Sequence, residues 1–367
     1  MSKEGRSFYT FLSRRDSILK RIRNAGGFIY YISRYSGLVS AMVPTSKLRG
    51  ILQDPDLLWA EKDRRIALPG RGMIGLNIRK KGIGDIGRSK RKILWNIERI
   101  WGGVPSFRAG KGIRVGILDT GIDLKHPDLQ GNIRGGVNFI DMENSPQDDN
   151  GHGTHVAGIV AATGAGGGGV VGVAPAADLY AVKVLNKNGA GTVTTLVQGI
   201  DWCLDCGLDI INLSMGSGST IPSALVRAVN AARRKGALVI AAAGNNGNAE
   251  GRGDTVDAPA RIPSVTAVAA LDRENRRASF SAAGPSLDIA APGVDILSTY
   301  SSGKYAFLSG TSQGAPHVSG AAAVYKQRFS GVSPDALQRL LKSRAMPLKQ
   351  RRQTGAGLVR IRSSRPK

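Results

Sequence analysis

Three side chains in separate segments of this sequence could share one reaction. Asp119 ends the run RVGILDT, His152 stands in NGHGTHVAG, and Ser312 stands in SGTSQGAPHVSG. A serine hydroxyl is a weak nucleophile. It needs a base within about 2.6–3.2 Å and a third group that orients the base. Histidine and aspartate are the residue types for those two tasks, so Asp119 reads as the orienter, His152 as the base and Ser312 as the nucleophile. Taken singly, each has a plainer reading as a helix cap or turn residue. All three plain readings would have to hold together for the site to be absent.

These residues need a scaffold that brings strand ends and helix starts together. The runs 114–120, 178–185, 208–215, 237–244 and 264–271 are short, apolar and rich in β-branched residues, and they read as buried strands. Segments 152–162, 192–204 and 223–236 lie between them and read as helices. Strands alternating with helices predict a parallel α/β sheet. In such sheets functional groups gather at the carboxyl ends of the strands. Asp119 is at a strand end, and His152 and Ser312 are at helix starts. A serine there also gains from the positive end of the helix dipole as negative charge develops.

Upstream, residues 26–68 read as a small α+β unit. It has strands at 28–33, 37–44 and 57–63 and a helix capped by Thr45 and running to about Leu52. Residues 69–92 are glycine-rich and basic, without helical or strand period, and read as a linker. They contain the clusters Arg79–Lys81 and Arg88–Lys92. The expected organisation is a basic segment 1–25, the unit 26–68, the linker 69–92, a main domain 93–359 and a basic tail 360–367.

The net charge of +24 suggests a polyanion binder until it is divided along the chain. Residues 1–110 carry 23 Lys and Arg against 8 Asp and Glu, and residues 326–367 carry 12 against 1. The stretch 111–325 carries 16 against 18. The charge belongs to the ends, outside the chemistry-bearing region, so it is read as solvated surface with no specific nucleic-acid partner. No run of 18 apolar residues exists, so no transmembrane segment is expected. The N-terminal apolar stretch is broken by Arg34 and does not read as a secretory signal. The two cysteines, Cys203 and Cys206, exclude a disulfide framework. With no second pair and no neighbouring histidine, they read as ordinary small residues on a helix.

The motifs DTGID, HGTHVAG and GTS-x-x-x-PHV-x-G, in the order Asp, His, Ser, resemble the subtilisin-like serine proteases, peptidase S8. The resemblance runs from about Ile93 to Val359. It implies a three-layer fold, with a mainly parallel sheet flanked by helices and a small α+β propeptide domain in front. It also implies a serine endopeptidase that acts on polypeptides through an acyl-enzyme and needs no cofactor for its chemistry. By the same resemblance Asn245, in AAAGNNG, donates to the oxyanion. Ser214, Met215 and Gly216 offer one strand edge to substrate, with Gly189 and Gly191 on the opposite edge. The unit 26–68 would be an intramolecular inhibitor of a self-processing zymogen, cut in the linker, and an extracellular setting would follow.

The sequence departs from the family's pattern in places. Gln313-Gly314 follow Ser312 where Met-Ala is usual, and Pro316 is expected in the first turn of its helix. Asp128 matches a ligand of the family's calcium site, but the loop 163–172 offers no side-chain oxygen beyond Thr163. Calcium takes 6–8 oxygen ligands, so Asp128 is read as a calcium ligand or as a structural hydrogen-bond partner. Asp257 stands where glycine is common at the floor of the pocket for the residue before the cut bond. An unpaired carboxylate there would favour Lys or Arg in the substrate; the alternative is a surface pair with Arg252 or Arg261. The competing functional reading is a catalytically inactive scaffold of the same fold that binds peptides.

Overall fold

The computed structural model describes residues 5–14, 16–68, 93–165 and 169–362. The linker clusters Arg79–Lys81 and Arg88–Lys92 and the end of the basic tail lie outside them.

The chain opens with β1 (Arg6–Ser13) and α1 (Ser17–Asn24), then β2 (Phe28–Ile32), β3 (Leu38–Pro44), α2 (Leu48–Leu52) and β4 (Leu57–Lys62). These strands form an antiparallel sheet in the order β2-β3-β1-β4. Phe11, Ile18, Ile22, Val39, Ala41, Val43 and Ile51 fill the space between its one face and the two helices. This corrects the expected boundary at residue 26, because β1 is a central strand of the sheet. The arginines and lysines of 1–25 mask the alternation of RSFYTFLS. Arg21, for example, stays at the surface and pairs with the buried Asp54 at 3.0 Å. Thr45 starts a short 3₁₀ turn and its side chain caps nothing. A three-residue strand, β5 (Arg65–Ala67), ends this part of the described chain.

After α3 (Trp95–Trp101), the main unit alternates strands and helices: β6 (Arg114–Asp119), β7 (Ile133–Asn138), α4 (His152–Ala161), β8 (Asp178–Lys183), β9 (Ala190–Thr192) and α5 (Val193–Asp205). It continues with β10 (Ile210–Leu213), α6 (Ser223–Arg234), β11 (Leu238–Ala242), β12 (Thr266–Leu271) and β13 (Ile289–Pro292). Seven strands form one parallel sheet in the order β13-β12-β11-β10-β6-β8-β7. Strands β6, β10, β11, β12 and β13 read as near-continuous apolar runs because both faces are covered, whereas the edge strand β7 is only partly buried. Along β6, Val115 and Ile117 enter one core layer and Leu118 the other.

A hairpin of β14 (Ile296–Tyr300) and β15 (Lys304–Leu308) leads into α7 (Thr311–Arg328), an 18-residue helix packed under the sheet. Two shorter helices, α8 (Pro334–Arg344) and α9 (Arg351–Thr354), follow. Ser333 caps α8 by accepting from the Ala336 N–H, and Pro334 fills its first turn, where no N–H is needed. Among the described residues no helix is long and apolar enough to cross a membrane.

Candidate active site

Asp119 is the last residue of β6 and is fully buried. His152 is the first residue of α4, and its Nδ1 lies 2.8 and 3.0 Å from the two Asp119 carboxylate oxygens. The Thr120 N–H also donates to Asp119 Oδ1 at 2.7 Å, which fixes the carboxylate plane. This close approach requires glycine next to the histidine. A Cβ on Gly153 would lie 2.1 Å from the Gly121 carbonyl. Burial by itself pushes the imidazolium down. The charge and hydrogen bond of Asp119 outweigh it, Asp148 adds to them, and His152 lies above its ordinary 6.5. Nδ1–H is thereby committed to Asp119, which leaves Nε2 as the ring nitrogen able to take up a proton.

Ser312 is the second residue of α7. Its hydroxyl donates to the Ser214 carbonyl at 3.0 Å, and among the described residues it makes no hydrogen bond to His152. The pair therefore meets only when the hydroxyl turns away from Ser214, a tightening expected on substrate binding. The helix begins at Thr311, so Pro316 falls in the second turn rather than the first. Proline has no N–H for the carbonyl four residues back. That carbonyl belongs to Ser312, and the Ser214 hydroxyl donates to it at 3.0 Å instead. Behind Ser214, Asn212 Nδ2 donates to its Oγ at 3.0 Å, and the Ser319 hydroxyl donates to Asn212 Oδ1 at 2.8 Å. A proline in an otherwise helical run was the one sequence signal for this network.

Asn245 follows β11. Its Oδ1 accepts from the Thr311 N–H and hydroxyl, both at 2.9 Å. Those donors assign the amide, and Nδ2 lies beside Gly310, the residue just before α7. The Ser312 N–H, in the first turn, has no intrahelical acceptor. The two groups form a pair of donors suited to a developing oxyanion.

The two expected edges flank a cleft, and the chain's own β5 occupies it. Ala67 and Gly216 exchange N–H···O bonds of 3.0 and 2.9 Å. The Leu68 N–H donates to the Gly189 carbonyl at 2.9 Å, and Ile66 pairs with Gly191 in the β5–β9 ladder. The strand runs antiparallel to 214–216, so its carboxyl end is the one directed at Ser214, and the Leu68 side chain lies against Gly189. Sequence reading placed the end of the small unit here but did not assign the segment a position in the cleft.

Asp257 is 6% exposed and lies behind Gly216 and Gly244. A Cβ on Gly244, whose φ is +109°, would stand 2.6 Å from its Oδ2. The surface pairing with Arg261 does not form, because Arg261 pairs with Asp254 at 2.8 Å. Among the described residues the Asp257 carboxylate has no ion pair or hydrogen bond. Burial raises its pKa to about 6, against a smaller lowering by Arg261.

Among the described residues Asp128 serves as a hydrogen-bond acceptor rather than as part of a calcium cage. Its Oδ2 accepts from the Val170 N–H at 2.9 Å and the Tyr305 hydroxyl at 2.8 Å, and its carbonyl accepts from the Thr163 N–H and hydroxyl. A cation would have to displace those donors, and no cluster of three metal-ligating side chains occurs among the described residues. Cys203 and Cys206 are free thiols at the end of α5, and burial holds Cys203 protonated.

Sequence reading missed Asp148. This buried carboxylate accepts from the Asn150, Gly151 and Thr154 N–H groups and from the Thr120 and Thr154 hydroxyls. It braces the start of α4 against the end of β6. Its place four residues before His152 in QDDNGH was the available clue.

Comparison with known proteins bears on this geometry. The profile of the Subtilase family matches residues 110–358. Over 272 residues, 73% of this chain, it is 47% identical to Subtilisin Savinase of Lederbergia lenta, covering 97% of that protein. The same figures hold for an Alkaline protease of Shouchella clausii, of which 69% is covered. Subtilisin DY of Bacillus licheniformis is 46% identical over 257 residues, 70% of this chain and 91% of the relative.

Proposed function

This chain belongs to the subtilase family and is a serine endopeptidase; from that premise we propose that Asp119, His152, Ser312 and Asn245 carry its reaction and that residues 5–68 hold it latent. The Ser312 hydroxyl turns from Ser214 to His152 Nε2 and gives up its proton as Oγ attacks the substrate carbonyl. Asp119 keeps Nδ1–H in place and stabilises the imidazolium. Asn245 Nδ2 and the Ser312 N–H bind the oxyanion. On collapse the imidazolium protonates the departing amine, leaving an acyl-enzyme. Water then attacks that ester as His152 takes its proton, and on collapse the imidazolium returns the proton to Ser312 Oγ as the acid leaves. No step uses a metal or cofactor.

The observation that carries the latent state is β5 lying in the cleft as an added strand. Backbone pairing of this kind gives affinity without demanding a particular sequence. Carboxylates of the same unit reach the catalytic unit. Glu61 accepts from the Ser223 and Ala224 N–H groups at the start of α6. Asp63 accepts from the Thr194 N–H at the start of α5. Each sits at the positive end of a helix dipole. The processing cut belongs in 69–92, which follows Leu68 directly. Asp257 supports a preference for Lys or Arg before the cut bond, since an anion behind the Gly216 edge can pair with a substrate cation.

A serine-directed fluorophosphonate tests the chemistry. Label should appear on Ser312 and vanish in His152→Ala, and equal labelling of both would overturn the triad. Intact mass over time tests latency: the wild-type chain shortens within 69–92, while Ser312→Ala stays whole.

A further inference from the structure

Lys183 ends β8, and its Cα pairs with that of Asp119 across the parallel ladder. The residue is only 3% exposed. Its ammonium lies 2.5 Å from the Thr120 carbonyl, 2.6 Å from Asp149 Oδ1 and 3.2 Å from the Leu185 carbonyl. An ammonium has three N–H donors, and all three are used. The acceptors come from three different places: the residue after Asp119, the loop leading to His152, and the turn leading to the Gly189–Gly191 edge. That loop and turn are also tied by Asn150 Nδ2, which donates to the Lys187 carbonyl at 2.9 Å.

A buried ammonium is costly to desolvate, and an apolar side chain of similar length would be cheaper at the edge of this core. The local fold does not require it, because Asp148 already satisfies the N–H groups of residues 150, 151 and 154. What Lys183 adds to these ties is one buried charge bonded to all three segments at once. We propose that Lys183 is a positioning residue. Its ammonium clamps the Asp149–His152 loop onto the end of β6, holding His152 on Asp119 and both against the substrate edge. This rests on the catalytic reading of Asp119, His152 and Ser312.

The clamp also has an electrostatic consequence. Among the described residues, the titratable groups nearest His152 are Asp119 from β6, Asp148 from the loop, His155 from α4 and Tyr300 from β14, with the Lys183–Asp149 ion pair beyond them. Burial holds His155 neutral, with a pKa near 3. Lys183 offsets Asp149. Without the lysine, the uncompensated anion favours the His152 imidazolium and moves the acid limb of kcat/KM to higher pH.

The test compares Lys183→Met, Asp149→Asn and their combination in the full chain, assayed with a peptide amide once its mass has stopped changing. Lys183→Met should lower kcat about 10- to 100-fold, the effect of a small misplacement of reacting groups. Its KM should stay within about threefold, since ground-state binding is retained. Its acid limb should move up. The double variant should bring the acid limb back while kcat stays low, which a merely structural defect would not do. Wild-type kcat with a wild-type pH profile, or a loss confined to KM, overturns the proposal. If Lys183→Met does not fold, Asp149→Asn decides. It changes only the half-exposed partner, and an unchanged kcat there also overturns the clamp. Wild-type activity against a Ser312→Ala blank tests the catalytic reading separately.

Discussion

Replacing Asp257 by asparagine should change which peptides are cut and how that choice responds to pH. The carboxylate is 6% exposed, its pKa is raised to about 6, and among the described residues it has no ion pair. At pH 8 about one molecule in a hundred would carry the proton, and at pH 5 about nine in ten. A charge-assisted hydrogen bond in such a pocket contributes about 1.5–3 kcal/mol. That corresponds to about 10- to 100-fold in kcat/KM for a basic residue over an apolar one. The assay is kcat/KM for matched peptide amides ending in Arg, Lys, Phe or Leu, from pH 5 to 9. The wild-type preference for Arg and Lys should fall about tenfold per pH unit below 6, and Asp257→Asn should remove both the preference and its pH dependence. Stability should move the other way. A carboxyl whose pKa is raised on folding contributes stability below its ordinary value near 3.8, and that stability is lost as pH rises through about 6. Asp257→Asn should therefore be more stable than wild type at pH 8, by about 2 kcal/mol in denaturant unfolding once the roughly 3 kcal/mol of the full shift is reduced for solvent screening. A wild-type preference for Phe or Leu at pH 8, unchanged in the variant, would refute the reasoning.

Other outcomes follow from the same geometry. His152 acts as a base only when neutral and its pKa lies above 6.5, so the acid limb of kcat/KM should have its midpoint above pH 6.5. Asp119→Asn, which removes the raising charge, should move that midpoint down. Asn245→Ala should lower kcat with little change in KM, by about 2.7–4 kcal/mol of barrier, a magnitude established on subtilisin itself. Glu61→Gln weakens two bonds to the start of α6, by about 1 kcal/mol. In a Ser312→Ala background it should speed hydrogen exchange of the β5 amides about fivefold without unfolding the main unit. Ser214→Ala removes the donor to the Ser312 carbonyl left open by Pro316; the thermal midpoint should fall, reflecting about 1 kcal/mol.

Much of the framework was legible because local rules and the global fold agree. The apolar runs at 114–120, 208–215 and 237–244 announce buried parallel strands since both faces of that sheet are covered. Asp119, His152 and Ser312 stand out because polar residues beside glycine at strand ends and helix starts break those runs. The central strand β1 was not legible, because its apolar alternation is short and surrounded by arginines that only the folded chain carries to the surface.

Relations between segments distant in sequence had to come from the tertiary structure. A sequence can place an aspartate 33 residues before a histidine, but only packing sets them 2.8 Å apart. It can show a carboxylate at 257, but only the fold pairs Arg261 with Asp254 and leaves Asp257 without an ion pair among the described residues. Lys183 reads as one more polar residue in an apolar run until three segments converge on its ammonium. Periodicity is a local property of the chain, whereas burial, pKa and the occupancy of the cleft by Arg65–Ala67 depend on neighbours that only chain folding supplies.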